Sequence, residues 1–219
     1  HNNLRAMYWH SFTQPMADRF VKDHLVNPEE FWTYMPLPSV AVNDPLFRNV
    51  TTNDWSGQTE ALTYQRAIRA LENYGYDSLI PELGEKLFQA IGEECVFVQQ
   101  YDPFTAAPSL VCLDGEQDCY GPALLSVLEY AARMYGVHIE QDTVFWGTVG
   151  GHESVYEQIW GERSFKLVQS GNGAEGFING RKVFEAGAGI KVITGLDGNV
   201  LEVKKMSKNG DVRSIRQKI

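Results

Sequence analysis

The chain is expected to be an α + β protein, a helical part followed by an antiparallel β part, on three observations. From Leu4 to about Tyr135, apolar residues recur at the three- and four-residue spacing of a helix face. After about Glu140 that period gives way to short runs rich in β-branched and aromatic residues. These runs are punctuated by pairs such as Asn179-Gly180 and Asp197-Gly198, which suit the primed turns of two-residue hairpins. The expected division is therefore 1–140, helical, and 141–219, a small antiparallel β-sandwich.

Each helix has its own start and stop signals. In LRAMYWHSF, Arg5, Tyr8, Trp9 and Phe12 stand at helical spacing, as a core stripe would. Thr13 before Pro15 is a good N-cap, so TQPMADRFVKDHL should be a helix beginning there. Asn27-Pro28-Glu29-Glu30 predicts a second, short helix with a cap, an early proline and acids that suit the dipole. The three prolines of YMPLPSVAVNDP force an extended connector.

The stretch NDWSGQTEALTYQRAIRALENYGY, 53–76, reads as a third helix, with Tyr64, Ala67, Ile68, Leu71 and Tyr74 on its packing side and Gly75 as its stop. Its first residues are an aromatic plane and several hydrogen-bonding groups rather than packing residues. DSLIPELGEKLFQAI follows after a very short turn, and GPALLSVLEYAARMYG forms a fifth helix stopped by Gly136. Between these two lies a loop of 94–120, long enough to be functional. The predicted strands are TVFWGTV, SFKLVQS, AEGFING, RKVFEAG, IKVITGLDG and NVLEVKKM. The Gly171-Asn172-Gly173 and Gly187-Ala188-Gly189 triplets are turns rather than phosphate loops, because neither opens a helix.

A formal net charge of -9 argues against nucleic acid as a partner. No run approaches the ~18 apolar residues of a membrane span. HNNLRAMYWH has neither the basic nor the apolar region of a signal peptide, so the sequence leaves the compartment undecided. Cys95, Cys112 and Cys119 match no zinc spacing, and their odd number makes a poor disulfide framework, so they are expected to be unpaired packing residues. The five histidines, at 1, 10, 24, 138 and 152, form no ligand cluster. Neither a metal nor a cofactor is expected. Asn49-Val50-Thr51 is a glycosylation sequon with meaning only in a secreted eukaryotic protein.

NPEEFWTYMPLPSVAVNDPLF, NDWSGQTEALTYQRAIRALENYGY, QQYDPFTAAP and DCYGPALLSVLEYAARMYGV resemble, in that order, the last helical hairpins of (α/α)6-toroid glycoside hydrolases. The nearest group is family 63 with the mannosylglycerate hydrolases, more distantly trehalase. Trp55-Ser56-Gly57-Gln58-Thr59-Glu60 resembles the Trp-Arg-Gly-Pro-x-Trp type motif that begins a barrel helix at the active-site mouth. Tyr101-Asp102-Pro103-Phe104-Thr105 resembles the YDPxTG motif, with Ala106 where glycine is usual. The resemblance covers about 25–137. It implies a toroid, an oligosaccharide or glycoside substrate, and hydrolysis with inversion by two carboxyl groups about 6.5–9.5 Å apart.

No stretch matches the segment that carries the family's catalytic acid. Five helices that are apolar on more than one face also expect further neighbours. Both the acid and the missing hairpins are therefore expected upstream of His1, in the same polypeptide. The usual base position falls on Gln99, which cannot accept a proton from water. A subfamily with its base elsewhere, a non-catalytic relative and an engineered substitution would each account for it. The further departures at Gln100 and Ala106 favour the first.

Glu60 then becomes the candidate base, although an acid at a helix start also serves the dipole alone. Trp55, Gln58, Tyr101 and Tyr120 are the candidate substrate-binding residues. Each has a plainer reading, Trp55 as a core aromatic, Tyr101 and Tyr120 as parts of turns, and Gln58 as a first-turn polar residue. A structural helical scaffold with no sugar affinity is the remaining alternative, against which the polar start of 53–76 speaks.

Overall fold

The computed structural model describes residues 2–51, 55–92, 95–109, 120–148 and 153–205. Among the described residues are five α-helices and three small antiparallel sheets. The chain divides into two compact units, His1–Gly75 with Glu82–Leu128, and Tyr76–Pro81 with Glu129–Ile219.

In the first unit, α1 (Asn2–Tyr8) buries Leu4 and Met7, one turn apart. The Arg5, Tyr8, Trp9, Phe12 stripe is thus not the core face, and Trp9 is 75% exposed. Helix α2 (Gln14–Phe20) starts after Thr13 with its proline at the first positions, and Val21–Leu25 extends it as a π turn. Asn27-Pro28-Glu29-Glu30 does not become a helix. The Asn27 carbonyl accepts the N–H groups of Glu30, Phe31 and Trp32, and the chain then leaves the turn for the proline connector. Leu37, between two prolines, is fully buried with φ 66°, a left-handed conformation rare for so bulky a residue.

Helix α3 is Ala61–Glu72, six residues shorter at its start than 55–72 would be. Residues 55–58 form bends, and Thr59–Glu60 is a two-residue strand, β1. Ala61, Tyr64, Ile68 and Leu71 form one buried stripe, and Thr63, Ala67 and Ala70 widen it until most of the helix is enclosed. Asn73 caps its C-terminus, and Gly75 follows with φ 77°. Helix α4 (Leu79–Ile91) buries Ile80, Leu83, Leu87 and Ile91. Strand β2 (Gln100–Tyr101) lies within the long loop, and α5 is Gly121–Tyr135. Leu124, Leu125 and Leu128 stand exposed on α5. Cys95 is exposed and free rather than packed, while Cys112 and Cys119 lie outside the described residues.

The second unit holds two four-stranded antiparallel sheets. One has the order β10 (Val200–Lys205), β9 (Ile190–Gly195), β4 (Thr143–Trp146), β3 (Val137–Glu140). The other runs β5 (Ser154–Trp160), β6 (Arg163–Ser170), β7 (Gly173–Ile178), β8 (Arg181–Gly187). Strands β3 and β5 have no counterpart among the sequence-based expectations. The inner faces of the two sheets meet in a core of Val137, Val144, Trp146 and Val192 from the first sheet and Phe165, Leu167, Ala174, Ile178 and Phe184 from the second.

Trp146 is the centre of this core, 5.2 Å from the Phe184 ring and 6.2 Å from that of Phe165, with its indole N–H donated to Thr194 Oγ1. Phe184 occupies the space a side chain at Gly176 would need. Asn179 and Gly180 both have positive φ, as a type I′ turn requires. Asp197-Gly198 is different: four residues separate β9 from β10, and only Gly198 has positive φ. Gly136 lacks a positive φ too. It is glycine because the Tyr156 ring lies against its α-carbon.

Within this unit, Lys191 of β9 forms an ion pair with Asp77, both more than nine-tenths buried. Breaking a buried pair strands a charge, whereas replacing both partners by apolar residues is often neutral. Asp77→Ala and Lys191→Ala should each cost about 3–5 kcal/mol in urea unfolding. The Asp77→Leu/Lys191→Met double variant should recover most of that loss, and simple additivity would contradict the pairing.

Candidate functional site

The residues flagged in the sequence converge on a small ladder in the first unit. Thr59 pairs with Tyr101 and Glu60 with Gln100 across β1 and β2. Pro38 bridges to Thr59 on one side and Pro108 to Tyr101 on the other, so four extended segments lie side by side. Prolines suit these outer positions, where no ladder N–H is needed. The Thr59 hydroxyl lies within hydrogen-bond distance of the Met35 and Pro36 carbonyls, at 3.0 and 3.1 Å. Ser39 N–H donates to Gln58 O, Ser109 N–H to Gln100 O, and Met35 N–H to Pro103 O. The connector, the 55–60 segment and the 100–109 loop are thereby tied into one frame.

Glu60 sits at the N-cap of α3 with extended φ and ψ, and its side chain makes no capping bond. Its carboxylate is fully buried and accepts a 2.6 Å hydrogen bond from Gln100 Nε2. The first N–H of α3, on Ala61, is taken by the Gln99 carbonyl.

Gln58 is buried and joins a chain of hydrogen bonds. The Ser109 hydroxyl donates to Gln58 Oε1, Gln58 Nε2 donates to Asn49 Oδ1 at 3.0 Å, and Asn49 Nδ2 donates to Asp102 Oδ2 at 2.7 Å. Every donor in the chain points the same way, so each bond polarises the next. Asp102 Oδ1 accepts the N–H groups of Phe104 and Thr105. Burial works against its charge, but the bonds from Asn49, Phe104 and Thr105 outweigh it and hold the carboxyl below its ordinary range.

Tyr101 is fully buried with its hydroxyl donated to Val96 O at 3.0 Å, so the phenol faces its own loop. Burial pushes its pKa up to about 12, against the N–H of Val98, which pulls it down. Tyr120 N–H donates to Phe97 O, and its phenol lies within electrostatic reach of Arg66. Trp55 is half-buried with φ 55°, in the bend before β1 rather than in a helix turn.

The structure thus brings Glu60 and Tyr101 onto one ladder, with Gln58 directly before it, Trp55 in the bend that leads to it, and Tyr120 within electrostatic reach of Arg66 in the middle of α3. Asn49, Gln100 and Ser109 belong to the same polar array and were not singled out by sequence as site residues. Asn49 drew notice only as a sequon and Gln100 only as a departure from a motif. Two-residue strands leave no period that would have paired them. Among the described residues no group of three or more histidine, cysteine, aspartate or glutamate side chains gathers as a metal site would. None of the described helices is long and apolar enough to cross a membrane.

No protein-family model and no curated protein matches this chain. Among solved structures, a chain named "Sialidase" superposes with a TM-score of 0.64 at 13% sequence identity. The match covers 85% of this chain and 20% of that one, so this chain spans about a fifth of its neighbour's length. At that identity the likeness establishes fold alone.

Two predictions test the frame. Gly57 lies against the Arg48 backbone, where a β-carbon would collide with the carbonyl group, while Ala106 sits at φ 59°, a conformation that favours glycine. Gly57→Ala should cost at least about 2 kcal/mol in denaturant unfolding, and Ala106→Gly should be neutral or stabilising by up to about 1 kcal/mol. Because the folded-state pKa of Asp102 is depressed, its contribution is complete above the unfolded value of about 3.9 and is lost as pH falls through the folded value below it. Asp102→Asn should therefore lower the melting temperature at pH 7. The gap to the parent should close as pH falls below about 4, and a gap independent of pH would exclude this role.

Proposed function

We propose that this chain is part of a carbohydrate-active protein, the last hairpins of an (α/α)6 toroid at 1–140 with a β-sandwich appendage at 141–219, and that the whole enzyme hydrolyses an α-glycosidic bond with inversion. The observation that carries the reading is the enclosed carboxylate of Glu60 at the mouth of α3, which accepts a hydrogen bond from the Gln100 amide, with the Gln58–Ser109 hydrogen bond two residues before it in the chain. Two further observations support it. The fold is shared with a chain named for a glycosidase, and Leu124, Leu125 and Leu128 offer a face on which further helices would pack.

In this scheme Glu60 takes the proton from water, and a carboxylic acid upstream in the polypeptide protonates the leaving oxygen. Gln100 orients the Glu60 carboxylate. Gln58 presents the polar chain to the substrate, Trp55 supplies an aromatic face for a pyranose ring, and Tyr120 borders the subsite. Tyr101 acts from behind, holding the loop that carries Asp102.

Glu60→Gln in the whole protein should lower turnover of aryl α-glycosides by about 10²–10⁴-fold while leaving sugar affinity within a few-fold. Undiminished turnover would remove Glu60 from the mechanism. The second reading, a carbohydrate-binding relative without catalysis, is favoured by Gln99 at the motif's base position. It expects sugar binding by the parent protein with no turnover at all.

A further inference from the structure

We propose that the outer edge of β5 is a self-association surface, through which two copies of this chain pair antiparallel across a two-fold axis centred on Glu157. This surface lies in the β unit and owes nothing to the carbohydrate reading.

Among the described residues the two four-stranded sheets of that unit have four edge strands, β10 and β3 of one and β5 and β8 of the other. An edge strand is a template for a further strand, and natural folds blunt it with bulges, lysines, prolines or brevity. Three of these edges are blunted. Strand β8 pairs with β7 through a register shift and carries Lys182, which bonds Glu175 and Glu185. Strand β10 has a shift between Val200 and Glu202 and ends in Lys204 and Lys205. Strand β3 is four residues long. Strand β5 is seven residues long, pairs with β6 in unbroken register from Ser154 to Trp160, and contains no lysine, arginine or proline.

The direction of its backbone groups follows from β6. Ser164 stands opposite Ile159, donates its N–H to Asn179 Oδ1 and accepts the Asn179 N–H on its carbonyl. Both Ser164 groups thus point away from β5, and Ile159 turns its own N–H and C=O outwards. Alternation along an antiparallel strand gives Val155 and Glu157 the same outward direction. The side chains of these three residues share the outer face of the sheet, with Val155 66% and Ile159 77% exposed.

Symmetry decides what fits this edge. About Glu157 the segment reads apolar, polar, acidic, polar, apolar, as Val155-Tyr156-Glu157-Gln158-Ile159. A two-fold interface needs a surface complementary to itself, residue i meeting j while j meets i. With Glu157 at the axis, Val155 of each copy meets Ile159 of the other, and all the outward N–H and C=O groups are paired. A shift of two residues either way leaves one outer residue unpaired and sets Glu157 against an apolar side chain. Glu157 facing its own copy is the one unfavourable contact. It is moderated by Lys166, directly across on β6, and by the Ser164 hydroxyl, which donates to Glu157 Oε1 at 2.6 Å. The row across the interface, Lys166 and Glu157 of one copy and then of the other, carries no net charge. One short edge is small beside the about 1,200–2,000 Å² of a stable interface, so the dimer is weak, with a Kd on the order of 10–100 μM.

Sedimentation velocity of the whole protein over about 1–500 μM tests this. The parent should pass from monomer to dimer and go no further, because a two-fold contact closes. Val155→Lys and Ile159→Glu should each weaken the dimer about tenfold or more with the melting temperature unchanged, both side chains being exposed. The Val155→Lys/Ile159→Glu double variant should recover most of that loss, since each introduced lysine then meets the introduced glutamate of the other copy. Glu157→Gln should tighten the dimer several-fold, and this carries the test should either other variant fail to fold. A monomer throughout the range would overturn the proposal, as would a dimer indifferent to all of these substitutions or one that grows into open chains. Additive losses in the double variant would overturn the two-fold pairing.

Discussion

Everything in the candidate site depends on a ladder only two residues long. Thr59–Glu60 against Gln100–Tyr101 is too short to be stable alone, since isolated two-stranded pairings are marginal in water. It persists because each edge is closed by a proline-containing segment and because Thr59 ties the strand to the Met35 and Pro36 carbonyls. The left-handed Leu37 is part of the same closure: its N–H returns to Phe31 O, turning the connector so that Pro38 reaches Thr59. Strain at one buried residue is tolerable where several hydrogen bonds determine the path. The consequence is chemical. Glu60 and Gln100 face each other because the register allows nothing else, and a carboxylate so enclosed has its orientation set before any ligand arrives.

The β unit follows another logic. Its cohesion comes from area rather than from polar bonds, with Trp146 filling the centre and Gly176 left without a side chain so that Phe184 can lie across it. Pairing of β4 with β9 brackets the whole β5–β8 sheet between two adjacent strands of the other. Contacts that distant in sequence make closure expensive in chain entropy, and the buried aromatic core supplies the free energy that offsets it.

How much was legible from the residues depended on whether an element has a period. Helices α4 and α5, the β6–β7–β8 meander and the Asn179-Gly180 turn follow from spacing and turn chemistry, since each repeats its signal over several residues. Strand β5 escaped because SVYEQIW lies at a sheet edge, with Val155 and Ile159 facing outwards, so its apolar residues do not mark an inner face. Asn27–Glu30 has every mark of a helix start but nothing behind it to propagate, because the proline connector follows. Residues 55–60 were drawn into α3 by their polarity. Their true conformation is fixed by partners forty residues away in Gln100 and Tyr101, which no local pattern encodes. Of the site, Glu60 and Gln58 could be found by motif; Asn49, Gln100 and Ser109 entered only through tertiary pairing.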